Sequence, residues 1–339
     1  MRSLFQSRLV DPSAGEPGLV ASIRDERRAL LFDLGVLSSL PPRVLLRVSH
    51  AFVTHTHMDH FAGFDHLLAV GLGRMHRVVL HGGPGFVGQV EHKLLAYTWN
   101  VVHRYEVPLV VEACEANPEG LRRRARFDSR NAFTRSDDAA WQTGRDDDLL
   151  HDEPTFRVRG RFVDHEMPVL AFALEEKARV RVDPRRLADM GVTTGPWLGA
   201  LKRAVMTGAP RDMPIAVRWR DRDGEHGMTR TVAELQPLVL DIVAGQRIGY
   251  VTDLRFTEAN VEQLHALLAD VDVLYIESVF LDEDRAHALR KNHLTARQAG
   301  TIAQALRARC VVPFHFSPRY EGRSDELIRE VQAAWQDGT

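Results

Sequence analysis

The segment Val53-Thr-His-Thr-His-Met-Asp-His60 constrains this chain more than any other, because it sets four potential metal ligands, His55, His57, Asp59 and His60, within six consecutive residues. The stretch before it, Ala51 to Thr54, reads as a short buried strand, and Phe61 to Val70 carries the apolar spacing of a helix. Four ligands in one strand-to-helix loop cannot all serve a single tetrahedral ion comfortably along with distant ligands. The spacing instead suits two adjacent ions, with alternate residues directed to each. Imidazole and carboxylate donors both suit zinc, whereas structural zinc more often uses cysteine. The chain has only Cys114 and Cys310, and neither has a nearby partner.

Histidine is the unusual residue, with 16 copies. His76, His92, His226 and His287 read as incidental surface residues, so the question is which others fall at ligand spacing. Two cysteines cannot build a disulfide framework, which points to a reducing cytoplasm. No apolar run approaches the roughly 18 residues of a membrane span, and Met1 to Val10 shows no signal-peptide core. A formal net charge of −2 excludes a chain that is basic throughout. Charge is uneven, however. Arg122, Arg123, Arg124, Arg126 and Arg130 precede Asp137, Asp138, Asp146, Asp147, Asp148, Asp152 and Glu153. This stretch, 115–153, reads as a charged insertion loop, solvated or in contact with phosphate.

Strands and helices alternate along the rest, which predicts an α/β fold. Strands are expected at Arg28 to Asp33, Val78 to Leu80, Val107 to Val111, Phe156 to Val163 and Val169 to Leu174, with a helix from Phe86 to Thr98. Residues 178–228 read as irregular and rich in Gly, Pro and Arg. Leu238 to Val243 and Arg247 to Thr252, separated by Ala244-Gly245-Gln246, read as a hairpin. Thr257 is expected to cap a helix to Leu268, and Asp272 to Glu277 reads as a buried strand. Thr295 is expected to cap a helix to Arg307. Val311 to Phe314 closes the strand list, and Ser324 opens the last helix.

His55, His57, Asp59 and His60 resemble the signature of the metallo-β-lactamase superfamily. Later motifs narrow the likeness: Asp164-His165-Glu-Met-Pro before a strand, Gly249-Tyr-Val-Thr-Asp253, Tyr275-Ile-Glu277-Ser, His293-Leu-Thr-Ala-Arg-Gln-Ala, and His315-Phe-Ser-Pro-Arg-Tyr320. In order and context they are similar to the ribonuclease Z group, the tRNA 3′-processing endonucleases, over most of residues 28 to 320. The resemblance implies a four-layered αββα sandwich with an inserted arm, a single metallo-hydrolase domain over 1–339, and two zinc ions, with manganese as the alternative metal. His55, His57 and His165 would bind one ion, Asp59, His60 and His315 the other, and Asp253 would bridge them. Asp59 would also orient the attacking hydroxide, His293 would protonate the leaving 3′-oxygen, and Glu277 would hold the His293 imidazole. Ser317 and Arg319 would contact phosphate or form a structural turn. The arm falls at 178–235, with Arg179, Arg181, Arg185, Arg186, Lys202, Arg203 and Arg211 available to phosphates.

The implied substrate is a tRNA precursor, and the implied state is a cytoplasmic homodimer. Two departures stand beside the likeness. Pro12, Gly15 and Pro17-Gly18 replace an early Gly-Thr turn, and Ile276 stands where a His commonly precedes Glu277. An alternative within the superfamily is a phosphodiesterase for a small or cyclic phosphoester. Thioester or lactone hydrolysis fits less well, since His165 lies in Asp-His-Glu-Met-Pro rather than a Gly-His-Thr-type turn. A silent RNA-binding scaffold would typically have lost ligands.

Overall fold

A computed structural model describes residues 3–11, 15–24, 26–144, 147–177, 179–221 and 224–337. Pro12, Asp146 and the side chain of Arg179 lie outside the described residues. The first sheet runs in chain order: β1 (Phe5–Leu9), β2 (Leu19–Ile23), β3 (Arg28–Phe32), β4 (Val48–Phe52), β5 (Arg77–Gly82), β6 (Val110–Ala116), β7 (Leu121–Asp128) and β8 (Arg135–Gln142). Strands β3 to β6 are parallel, and the flanking pairs are antiparallel. After β9 (Leu149–Asp152), β10 (Phe156–Asp164) and β11 (Pro168–Glu176), the chain enters a second compact unit made of 151–157 and 175–246. That unit contains β12 (Arg179–Val182), β13 (Pro214–Asp221), β14 (Gly224–Thr231) and β15 (Leu240–Val243). The chain then continues through β16 (Arg247–Val251), β17 (Val273–Glu277) and β18 (Val311–Phe314), and the second sheet is ordered β18-β17-β16-β11-β10-β9.

The run Arg28-Ala-Leu-Leu-Phe32 explains the layering. Successive side chains on a strand point to opposite faces, so a strand buried on both sides reads as continuous apolar sequence. From β3, Ala29 and Leu31 join a core with Phe61, Phe64, Leu67 and Val90 on the helical side. Phe32 points the other way. Its ring lies 5.2 Å from Phe52 of β4, 5.7 Å from Phe172 of β11 and 5.9 Å from Tyr250 of β16. These rings fill the space between the sheets. Beyond the second sheet, Ile276 of β17 packs with Leu264 and Leu268 of the helix Glu258–Leu268, with Ile302 of the helix Ala296–Ala305, and with Val331 of the helix Ser324–Gln336. Helix, sheet, sheet, helix is the four-layered αββα sandwich.

Several expectations need correction. The expected single domain resolves into two compact units. The stretch 115–153 is not a loop: β7 and β8 pair antiparallel and extend the first sheet. Its arginine run alternates across the strand with Ala125 and Phe127, both fully buried, and that period was hidden under the charge. The helix expected from Phe61 to Val70 is two helices, Met58–Phe61 and Phe64–Gly71. Gly63 separates them where the backbone passes the carbonyls of Leu34 and Gly35 too closely for a Cβ.

The second unit is ordered as well. It has a helix at Pro196–Met206, a β13–β14 ladder, and a core around Trp197, Leu201, Val217 and Leu235. The expected hairpin of Leu238 to Val243 with Arg247 to Thr252 does not form. Strand β15 pairs with β12, and β16 pairs in parallel with β17. The caps at Thr257 and Thr295 are in place, the latter as a reciprocal box with Gln298.

Parallel strands leave their C-terminal ends along one edge, where open α/β sheets place ligand sites. Strands β3, β4, β16, β17 and β18 all run there into polar residues: Asp33, Thr54 to His60, Asp253, Glu277 and His315.

Candidate metal centre

The loop after β4 is anchored by a residue the motif reading missed. Asp33, fully buried at the end of β3, accepts from the backbone N–H of Thr54 at 2.7 Å and from its hydroxyl at 3.0 Å. It also accepts from His60 Nδ1 at 2.8 Å and from the Tyr250 hydroxyl at 3.1 Å. Four donors satisfy this carboxylate in the interior. Asp33 has φ 57°, a left-handed conformation that a short polar side chain accepts more readily than most. Like Asp253 and Glu277, it is a carboxylate at the end of a buried strand.

These bonds fix tautomers. A carboxylate or carbonyl oxygen cannot donate, so His60 Nδ1 carries a proton toward Asp33. His165 Nδ1 likewise donates to the carbonyl of Asn292 at 2.8 Å. The Thr54 hydroxyl gives its proton to Asp33, and His55 Nδ1 at 3.1 Å donates to Thr54. With Nδ1 so engaged, each of these imidazoles turns Nε2 toward the site, held by an outer partner as metal-binding histidines usually are.

The structure brings all seven expected ligands together. His55, His57, His165 and Asp253 offer atoms within 4.8 Å of one another, as do Asp59, His60 and His315. Asp253 lies between the groups. Its Oδ2 is 3.6 Å from His55 Nε2, 3.6 Å from His165 Nε2 and 3.5 Å from His60 Nε2, and its Oδ1 is 3.0 Å from His315 Nδ1. Asp59 Oδ2 is 3.4 Å from both His60 Nε2 and His315 Nε2.

The donor set fits a pair of cations. Among the described residues, His55 Nε2 and His60 Nε2 are buried without a hydrogen-bond partner, an arrangement costly to maintain unless something else satisfies them. Charge agrees. Burial pushes His55 down to about 2, helped by His60, and burial lowers His57 too. Burial also opposes charge on His60 and His315, yet Asp253 outweighs it, leaving His60 raised and His315 pushed up to about 10. Against the same burial, His315 and His60 hold Asp59 below the usual carboxylate range, and they hold Asp253 well below it.

Beside the ligands, His293 Nδ1 donates to Glu277 Oε2 at 2.8 Å. Glu277 is fully buried, and its other oxygen accepts from the backbone N–H of Leu254 at 2.9 Å. Burial would lower the His293 pKa, but the Glu277 carboxylate raises it. The His293 ring lies 4.9 Å from that of His165 and 5.7 Å from that of His315. Ser317 caps a short 3-10 turn by accepting from the N–H of Arg319, and Arg319 pairs with Asp284 at 3.0 Å.

Comparisons with known proteins place this geometry. A model of the β-lactamase superfamily domain matches residues 216–316. The ribonuclease Z of Deinococcus radiodurans is 34% identical over 308 residues, covering 90% of this chain and 87% of that protein. The short form of human tRNase Z superposes with a TM-score of 0.54 at 18% identity, covering 94% of this chain and 92% of its own. The metallo-β-lactamase fold protein YhfI of Bacillus subtilis gives 0.54 at 14% identity, covering 98% and 93%. The chain belongs to the ribonuclease Z family, within the β-lactamase superfamily.

Proposed function

We propose that this protein is a metal-dependent endoribonuclease that cuts tRNA precursors on the 3′ side. The observation that carries the reading is the His293–Glu277 pair set against the seven-ligand cluster: a proton source directly beside a site built for two cations. His55, His57 and His165 would hold one ion, Asp59, His60 and His315 the other, and Asp253 would serve both. Zinc suits this nitrogen and oxygen set, and manganese is accepted by the same donors. When bound, such a pair supplies Lewis acidity that ionises water near neutral pH and offsets charge on the phosphoryl oxygens.

The chain's own residues do the rest. Asp33, Thr54 and the Asn292 carbonyl hold three imidazoles in the binding tautomer. Asp59, about half exposed beside two imidazoles, orients the attacking water. His293, its pKa raised by the Glu277 carboxylate, delivers its Nε2 proton to the leaving 3′-oxygen. Ser317 and Arg319 flank His315 and serve the substrate phosphate, Arg319 by exchanging its Asp284 partner for it.

The second unit contains the stretch 178–235 and supplies the RNA-binding arm. Arg181, Arg185, Arg203 and Arg211 are exposed on it, Lys202 is half-buried, and Arg186 is already paired with Asp241 at 3.0 Å. Cations in such a place bind backbone phosphates without reading sequence. The protein acts in the cytoplasm as a homodimer. None of the described helices is long and apolar enough to cross a membrane.

The test is cleavage of a tRNA precursor carrying a 3′ trailer, with metal content and oligomeric mass measured on the same sample. Cleavage at the trailer junction with two bound ions supports the reading. Hydrolysis of bis-p-nitrophenyl phosphate alone points instead to a small-phosphodiester enzyme. Replacing Arg185, Arg203 and Arg211 together with alanine is expected to raise KM for the precursor and spare the small substrate. Equal loss on both would remove the arm from the reading.

A further inference from the structure

His165 and His293 come from segments 128 residues apart in the chain, yet one short network holds both. Asn292, immediately before His293, ends the helix Arg285–Lys291 with φ 60°. Its carbonyl accepts from His165 Nδ1 at 2.8 Å. Its side-chain amide is held at both ends: Nδ2 donates to Glu166 Oε2 at 2.8 Å, and Oδ1 accepts from Arg255 Nε at 2.8 Å. Arg255 follows the bridging Asp253 by two residues. Its guanidinium also reaches Asp164 Oδ2 at 3.2 Å and Glu166 Oε2 at 3.6 Å, the residues on either side of His165.

The backbone beneath is equally fixed. Arg255 N–H donates to the Asp164 carbonyl at 3.0 Å. The buried Asn260 amide bridges the carbonyls of Asp164 and Arg255 at 2.9 and 2.8 Å. Glu166, like Asn292, has a positive φ, 67°. Two non-glycine residues in a sparsely populated conformation, each holding the other's side chain, mark backbone kept in place by its surroundings at a functional site.

The geometry points to Asn292 and Arg255 as positioning residues, a clamp that sets the proton donor His293 in register with the site held by His165 and Asp253. Arg255 is suited to this, since a planar guanidinium offers several donors in fixed directions where an ammonium offers a point charge. Neither residue touches the reacting atoms. They act through His293, so their removal harms a step that needs a proton and spares one that does not. The inference rests on the phosphodiesterase reading of the site but not on the identity of the RNA.

The experiment uses the full-length chain and two substrates: the dinucleotide UpU, whose alkoxide leaving group needs a proton, and bis-p-nitrophenyl phosphate, whose stabilised phenolate does not. Asn292→Gly keeps the left-handed backbone and its carbonyl while deleting the amide. Arg255→Gln removes the other half from the partly exposed side. Each is expected to keep the wild-type metal content and KM, to lose on the order of 10- to 100-fold in kcat on UpU, and to keep its rate on bis-p-nitrophenyl phosphate. Adding His293→Ala to either variant is expected to cost nothing beyond His293→Ala alone, because groups acting through one another are not additive.

Wild-type kcat on UpU in both variants, equal losses on both substrates, or a full multiplicative loss in the double variants would each overturn the clamp. A wild-type protein that cleaves UpU but no tRNA precursor overturns the proposed substrate and leaves the clamp standing. One inert on every alkoxide phosphodiester removes both.

Discussion

In the β7–β8 hairpin, charges answer one another. Arg123 holds Asp138 at 2.8 Å, Arg135 reaches Glu91, and the buried Glu112 is shared by Arg77 and Arg124. In the loop from His55 to His60, polar side chains are just as dense, yet two buried imidazole nitrogens in it have no hydrogen-bond partner among the described residues. The first region is a sheet surface that satisfies itself. The second is held rigid from behind by Asp33 and Thr54 and left unsatisfied in front. Unsatisfied, preorganised donors are what distinguish a site from a merely charged surface, because folding gains nothing from them unless a ligand completes them.

The strongest way to break this comparison is to remove a ligand from the unsatisfied side. His57→Ala or Asp253→Ala is expected to abolish both bound metal and hydrolysis, read as metal per chain by elemental analysis and as turnover. Asp33→Asn is expected to weaken metal binding without touching a ligand. It exchanges a carboxylate acceptor for an amide against His60, and loss of outer partners of this kind typically costs about 10- to 100-fold in affinity. Wild-type affinity in Asp33→Asn would mean the rear support is dispensable.

Next in size is the donor. His293→Ala should retain metal and lose about 10²–10⁴-fold in turnover on RNA, the usual worth of a positioned proton donor. Its pH dependence follows from the charge beside it. A donor works while protonated, so kcat falls as pH rises through its pKa, and Glu277 raises that pKa. Glu277→Gln removes the raising charge and is expected to move the alkaline decline to lower pH, with a smaller loss at neutral pH than His293→Ala. An unmoved decline would separate the two residues.

The same contrast explains what could be read from the chain. The ligand loop was legible because its residue types are rare and crowded, and its strand and helix neighbours have ordinary periods. His165, Asp253, Glu277, His293 and His315 were legible through resemblance, since no local spacing joins residues so far apart. Asp33 escaped because a single aspartate after an apolar strand looks like any strand end; only the fold shows His60, Thr54 and Tyr250 converging on it. The β7–β8 hairpin escaped for the opposite reason. Its buried positions are few, Ala125 and Phe127 among arginines, and the acids paired with the run lie in β6, β7 and β8. The β15 pairing was misread because a three-residue link favours a hairpin locally, while β12, some sixty residues earlier, offered the ladder that won.

The smallest expected effect tests the satisfied side. Arg123 and Asp138 are each about one-third exposed, and water solvates either one well when its partner is removed. Arg123→Ala is therefore expected to change stability by about 0–1 kcal/mol, the range for surface ion pairs. Metal content and turnover on bis-p-nitrophenyl phosphate should remain at wild-type values. The informative measurement is binding of the tRNA precursor at low salt. If the arginine run is spent on its own acids, as Asp138 and Glu112 indicate, affinity stays unchanged. If affinity falls while stability does not, these arginines exchange their carboxylate partners for phosphate, and the hairpin belongs to the RNA-binding surface after all.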